Sequence, residues 1–174
     1  MAAAAATPFP GSSSLADTGV EILLVTSANA DYACLCHIIE HSKWKLHRVV
    51  SCQEALAFLQ QHPVGVVISE ANLPDGCWKD LLAELAGVGC PPNLIISSRL
   101  ADEQLWAEVL SLGGYDVLMT PFEREEVFRV GSYAWMDWRG RLGKLVSPAS
   151  QPPAAGVSAQ PGIKPPGNAG GLRH

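Results

Sequence analysis

Apolar positions along the chain fall into short continuous runs separated by stretches of helical period. Val20–Val25 (VEILLV) is almost wholly apolar, the pattern of a strand buried on both faces. Leu35, Ile38 and Ile39 then form a helical stripe that reaches about Ser42, with Asn29 or Asp31 placed to cap its start. Lys45–Ser51 reads as a second strand, and its more polar character predicts a position near a sheet edge. Gln53–Gln61 carries Ala55, Leu56 and Leu59 on one helical face and is stopped by Pro63. Val64–Ser69 (VGVVIS) is a third buried strand, followed by the turn residues Leu73-Pro74-Asp75-Gly76. Cys77–Ala86 predicts a short helix, Asn93–Ser97 a fourth strand, and Asp102–Leu112 a helix closed by Gly113-Gly114. Asp116–Met119 is the fifth strand. The last helix, Glu123–Leu142, has an acidic start and ends near Arg139, Arg141 and Lys144, which suits the helix dipole.

Strands of this length alternating with helices predict an α/β protein with a parallel sheet covered on both faces. The simplest such arrangement is a flavodoxin-like (βα)₅ doubly wound sheet with strand order 2-1-3-4-5. Ligand chemistry in that architecture gathers beyond the C-terminal ends of the strands. The residues placed there are Thr26-Ser27, Glu70, Ser97-Ser98 and Thr120.

The periodic signal is confined to residues 20–144, which define the expected domain. Residues 1–19 hold an Ala run, Pro8, Pro10, Gly11 and three serines, and are expected to be a disordered tail. Residues 145–174 are expected to be a second one. Of the 28 residues from Ser147 to His174, 19 are Pro, Gly, Ala or Ser and none is acidic. That stretch is too short for an output domain. Within 20–144 there are 10 Lys and Arg against 16 Asp and Glu, and the whole chain carries a net charge of −5. No net basicity is available to neutralise phosphates, so nucleic acid is not an expected partner. No apolar run approaches the roughly 20 residues that span a bilayer, so no membrane association is expected. Met1–Ala6 lacks the basic start of a signal peptide and is soon broken by Pro8 and Pro10. Five cysteines, an odd number, fit reduced thiols and a cytoplasmic location.

Over residues 20–144 the chain resembles the receiver domain of bacterial two-component response regulators, as a degenerate single-domain member. The resemblance is carried by ILLV at the start, VVISEANLPDG after the third strand, LIISSRLADE around the fourth and GGYDVLMTPF around the fifth. Order and spacing, rather than any one motif, make it specific. The resemblance implies phosphoryl transfer to an aspartate ending strand three. It implies an acidic pair after strand one that holds Mg²⁺, a Ser or Thr ending strand four and a Lys ending strand five. Hard oxygen ligands suit the metal, and a cation with a hydroxyl suits the phosphoryl oxygens. Here Thr26-Ser27 stand for the acidic pair, Glu70 for the acceptor and Thr120 for the lysine, while Ser97 is retained in kind. The aromatic position of strand five is Val117.

One carboxylate facing the hydroxyls of Thr26, Ser27, Ser97 and Thr120 is a poor Mg²⁺ site. The expectation is therefore a stand-alone pseudo-receiver in phosphorelay signalling that uses no cofactor or metal and is not an enzyme. Glu70 is either a permanent anionic substitute for the phosphorylated acceptor, fixing the loop after the fourth strand, or a relic. Two alternatives stay open. One is a regulator still phosphorylated or switched by a non-standard route. The other is a flavodoxin-like small-ligand binder or thiol enzyme, although no Gly-rich phosphate loop follows strand one.

Cys34, His37 and His41 share a helical face at metal-ligand spacing, but Zn²⁺ would still need a fourth ligand or an open position, so they are read as a polar face with an incidental Cys. Cys77 stands at a helix start whose dipole favours a thiolate, yet it is read as a structural or incidental Cys. Asp75 is read as turn chemistry. The aromatics Trp106, Tyr115, Trp135 and Trp138 fall on the fourth helix, the fifth strand and the fifth helix. In the family this surface meets partners or a second copy, and exposed Trp on a small domain points to an interface. A protein partner on that face is expected.

Overall fold

The computed structural model describes residues 19–146; the segments 1–18 and 147–174, read above as tails, lie outside the described residues. The elements are β1 (Glu21–Val25), α1 (Asn29–Ile39), β2 (Lys45–Val49), α2 (Cys52–Gln61), β3 (Val66–Glu70), β4 (Asn72–Leu73), β5 (Gly76–Cys77), α3 (Trp78–Leu85), β6 (Asn93–Ser98), α4 (Glu103–Leu112), β7 (Asp116–Met119) and α5 (Arg124–Val146). Five strands pair in parallel in the order β2-β1-β3-β6-β7. That is the expected 2-1-3-4-5 topology. The two-residue strands β4 and β5 form a separate antiparallel hairpin at the Leu73–Gly76 turn.

Alternation along the central strands divides the core in two. Ile22, Leu24, Val66, Ile68 and Ile95 face α1 and α5, where they meet Leu35, Ile38, Val127, Val130 and Ala134. Leu23, Val25, Val67, Leu94 and Ile96 face α2, α3 and α4, meeting Ala55, Leu81, Leu85 and Val109. Each fully buried aliphatic side chain contributes about 1.5–3 kcal/mol relative to exposure. β2 lies at the edge and has no fully buried residue, as its polar sequence predicts.

Helix ends depart from expectation where hydrogen bonds compete. α1 stops at Ile39 rather than near Ser42, because the Ser42 backbone N–H and hydroxyl both donate to the Ile39 carbonyl and turn the chain towards β2. Neither Asn29 nor Asp31 caps α1; both lie inside it, and Ala28 takes the cap position without a side-chain bond. α2 is capped twice. Ser51 Oγ accepts from Glu54 N, and the Asp75 carboxylate accepts from Cys52 N at 2.8 Å and Gln53 N at 2.9 Å. Asp75 therefore ties the hairpin to α2, a role beyond the turn itself. Asp102 caps α4 by accepting from Leu105 N, and Gly113 ends that helix at φ 99°, a conformation suited to glycine. α5 continues through Val146, past the expected limit at Leu142.

Trp138 requires a correction. Expected on the interaction surface, it is instead 6% exposed and belongs to the core. Its ring lies against Gly65, where an added Cβ would stand 2.5 Å from Trp138 Cε3, and its Nε1 donates to the Cys90 carbonyl. The glycine makes room for the indole. Among the described residues no helix is long and apolar enough to cross a membrane.

Candidate functional site

The parallel register sets Val25 of β1 beside Ser69 of β3, and Glu70 beside Ser97 of β6. The residues just past β1 therefore meet the last residue of β3 at the C-terminal edge of the sheet. Thr26 is buried and its N–H bonds to the Val49 carbonyl, so its hydroxyl is fixed towards β3. That hydroxyl donates to Glu70 Oε1. Ser27 Oγ donates to Oε2 at 3.4 Å, and Ala28 N donates to Oε1 at 3.3 Å and to Thr26 Oγ1 at 3.0 Å. Both carboxylate oxygens are thus engaged by the loop after β1.

The same loop is gripped from β2. Arg48 donates through Nε to the Thr26 carbonyl at 3.3 Å and through Nη2 to the Ser27 carbonyl at 3.2 Å. Its guanidinium carbon also stands 4.9 Å from the centre of the Tyr32 ring. Arg48 carried no sequence signal, because its partners are backbone carbonyls reached only through the β1–β2 pairing. Asp31 is a second residue missed. It stands inside the first turn of α1, where burial first, and then the Glu70 charge, raise its carboxyl above the ordinary 3.8, with Arg99 opposing.

Of the four hydroxyls expected to face Glu70, two do so. Ser97 and Thr120 are buried at the same edge of the sheet, but among the described residues neither side chain bonds to Glu70. The long glutamate leans over the β1 loop instead. The loop after β6 is held by its own bond, Leu100 N to Ser98 Oγ at 3.2 Å, and by Thr120 N to the Ser98 carbonyl at 3.0 Å. The expected hold of Glu70 on that loop is corrected to a hold on residues 26–28. Thr120-Pro121 is a cis peptide.

This donor set does not suit Mg²⁺. Glu70 has both oxygens engaged by protein donors, and hydroxyls stand at positions 26 and 27 where a divalent cation would need further carboxylates. Among the described residues no group of three His, Cys, Asp or Glu side chains is placed to hold a metal ion. The Cys34, His37 and His41 face is split: Cys34 Sγ points to the Phe122 carbonyl at 3.7 Å, while His37 stands 3.6 Å from Glu40. Cys77 is the N-cap of α3, its sulfur accepting from Asp80 N while the Asp80 carboxylate accepts from Cys77 N. The neighbouring Cys52 thiol is pushed up to about 11 by burial, then by Asp75.

A second region lies across α4, β7 and the start of α5. A groove of about 660 Å³ opens there, its apolar lining including Trp106, Val117, Met119 and Pro121. Trp106 is 50% exposed, with its Nε1 donating to Asp116 Oδ1 at 3.1 Å. Met119 is 52% exposed, and Tyr133 and Met136 of α5 are exposed as well. Tyr115 and Trp135 are half-buried against the core, and Trp135 lies under the Arg139 guanidinium at 5.0 Å. Val117, at the strand-five position where the resemblance implies an aromatic, is buried.

No protein-family model matches the chain. No curated protein matches it either. Solved structures do. The signal receiver domain of an HD domain-containing protein from Pseudomonas fluorescens Pf-5 is 24% identical over 76% of this chain and 98% of its own, with a TM-score of 0.67. The signal receiver domain of a putative Luxo repressor protein from Vibrio parahaemolyticus is 19% identical over 74% and 98%, at 0.65. The beryllofluoride-activated NtrC4 receiver domain dimer is 16% identical over 68% and 98%, at 0.62. At these identities what the chain shares with them is the receiver-domain fold.

Proposed function

We propose that this protein is a pseudo-receiver of two-component signalling that acts by protein contact and accepts no phosphoryl group. The observation that carries this reading is the state of Glu70. Its carboxylate already engages Thr26, Ser27 and Ala28, so the space beyond β3 holds an internal anion with its own donors. A phosphoryl group arriving there would meet that charge with neither an ammonium at position 120 nor an acidic pair at positions 26 and 27 to bring in a metal. Glu70 and Arg48 both bond to the β1–α1 loop, so a rearrangement of that loop around a phosphoryl group would have to break these contacts.

The test is direct. The full chain is treated with Mg²⁺ and a small phosphodonor, or with beryllofluoride, and followed by intact mass and Trp fluorescence. The expected outcome is no adduct and no saturable Mg²⁺-dependent change. A stable adduct of one phosphoryl group per chain would overturn the reading.

A further inference from the structure

We infer that the groove between α4, β7 and α5 takes a basic amphipathic helix of a partner protein. The floor is apolar and open to solvent, with Trp106 at 50% and Met119 at 52% exposure. Large apolar side chains side by side in a concave surface form the kind of place where helix anchors insert. The rim is almost entirely of one sign. Asp102, Glu103, Asp116, Glu123 and Glu126 line it, against Arg129 alone, and Arg129 is itself 3.9 Å from Glu126.

The fold uses three of these carboxylates in part: Asp102, Asp116 and Glu126. Both bonds to Asp116, from Trp106 Nε1 and Val117 N, fall on Oδ1, and Oδ2 has no partner among the described residues. Asp102 caps α4 through Oδ1. Glu103 and Glu123 form no ion pair among the described residues, and Glu123 is exposed. Apolar side chains ringed by five carboxylates and one guanidinium select Lys or Arg flanking apolar anchors, at the i, i+3, i+4 spacing of one helical face.

A second copy of this chain fits poorly. A two-fold contact places a patch against itself, which here sets five carboxylates and one guanidinium against the same set. This inference rests on the contact reading and gives its partner a chemistry. Its test involves no phosphodonor, so failure of one is distinguishable from failure of the other.

The probe is a synthetic amphipathic Leu/Lys helix about four turns long, titrated into the full chain and read by fluorescence anisotropy of the labelled peptide. Expected is saturable binding that Trp106→Ala and the pair Glu123→Lys, Glu126→Lys each weaken by about tenfold or more. The pair Glu40→Lys, Glu84→Lys changes the net charge equally but lies elsewhere, and is expected to stay within about threefold. Equal losses from both pairs would reduce the effect to general charge attraction and overturn the inference. So would equal binding of a Leu/Glu helix or of the same Leu/Lys composition without an amphipathic face. A dimer in sedimentation that Trp106→Ala dissociates would assign the groove to a second copy, with the same consequence. Trp106 lies largely outside the core, and the charge pair supplies a second variant that leaves the apolar packing untouched.

Discussion

The two ends of the receiver-like surface are built on opposite plans. In the crevice past β1 and β3 the carboxylate of Glu70 meets two hydroxyls and a backbone N–H, and Arg48 secures the same loop from behind. Across α4, β7 and α5 the polar groups form a rim, while an indole and a thioether stand in solvent. A region whose polar groups satisfy one another has little left with which to recognise anything else. A region with exposed apolar area and an excess of one charge is better placed to gain from association. The contrast moves the search for function away from the place where this fold usually does chemistry.

The largest expected effect comes from converting the crevice to the other plan. A variant with Thr26→Asp, Ser27→Asp, Glu70→Asp and Thr120→Lys replaces the hydroxyl set by three carboxylates and an ammonium. Intact mass after treatment with Mg²⁺ and a phosphodonor is expected to show one phosphoryl group per chain, against none for the natural protein. Glu70→Asp alone is expected to show none, since residues 26 and 27 still cannot hold the metal. Phosphorylation of that single variant would mean the crevice is closer to competent than its donors suggest.

Next in size is the test of which tryptophan belongs to which plan. Trp138→Ala removes a core indole seated on Gly65 and is expected to cost about 3–5 kcal/mol in denaturant unfolding. Gly65→Val attacks the same contact from below and is expected to destabilise as well, because its Cβ alone would fall 2.5 Å from the ring. If Trp138→Ala were neutral, the indole would be available for contact after all.

How much of this was legible in the sequence depends on how far apart the cooperating groups lie along the chain. Continuous apolar runs such as VEILLV and VGVVIS yield the strands, and alternation with helical stretches yields their order. Thr26, Ser27 and Glu70 were placed together because strand ends define one edge. Side-chain reach was not legible. Nothing in the spacing distinguishes a glutamate that leans towards β1 from one that faces Ser97 and Thr120, and only the folded register decides it. Asp75 and Arg48 act on backbone groups 23 and 22 residues away, which leaves no local pattern. Trp138 continues the buried face of α5 set by Val127, Val130 and Ala134, and the small residue that admits its ring, Gly65, lies far along the chain in the connection before β3.

Glu70→Gln keeps the size of the side chain and removes its charge. The charged acceptor of Thr26 and Ala28 becomes a neutral one, and a loss of roughly 1 kcal/mol is expected for a half-buried group. Amide exchange in residues 26–30 should accelerate, and residues 97–103 should be unchanged because Ser98 holds them independently. The reverse pattern would restore the view that Glu70 governs the loop after β6.

A smaller effect should follow pH through Asp75. The N–H groups of Gln53 and then Cys52 hold its carboxyl below the ordinary 3.8. A folded pKa below the unfolded one means that the carboxylate's contribution is fully present above the unfolded value. It is lost as pH falls through the folded value. The stability gap between the natural protein and Asp75→Asn should therefore be open near neutrality and close in acid. A gap that widens in acid would contradict the capping role.

The smallest effect is expected from Trp106→Ala, and its smallness is informative. The indole is half in solvent, its one hydrogen bond is to Asp116 at the surface, and it belongs to neither core cluster. Removing a side chain with so little buried area should change unfolding free energy by no more than about 0.5–1 kcal/mol, well below the cost at Trp138. The same substitution is expected to remove most of the affinity for a basic amphipathic helix. A residue that matters little to folding and much to binding is kept for contact, whereas equal costs at Trp106 and Trp138 would make the open face another part of the core. The measurement is a pair of denaturant titrations beside a pair of peptide titrations on the same two variants. Their opposite ranking is what the division between a closed crevice and an open face requires.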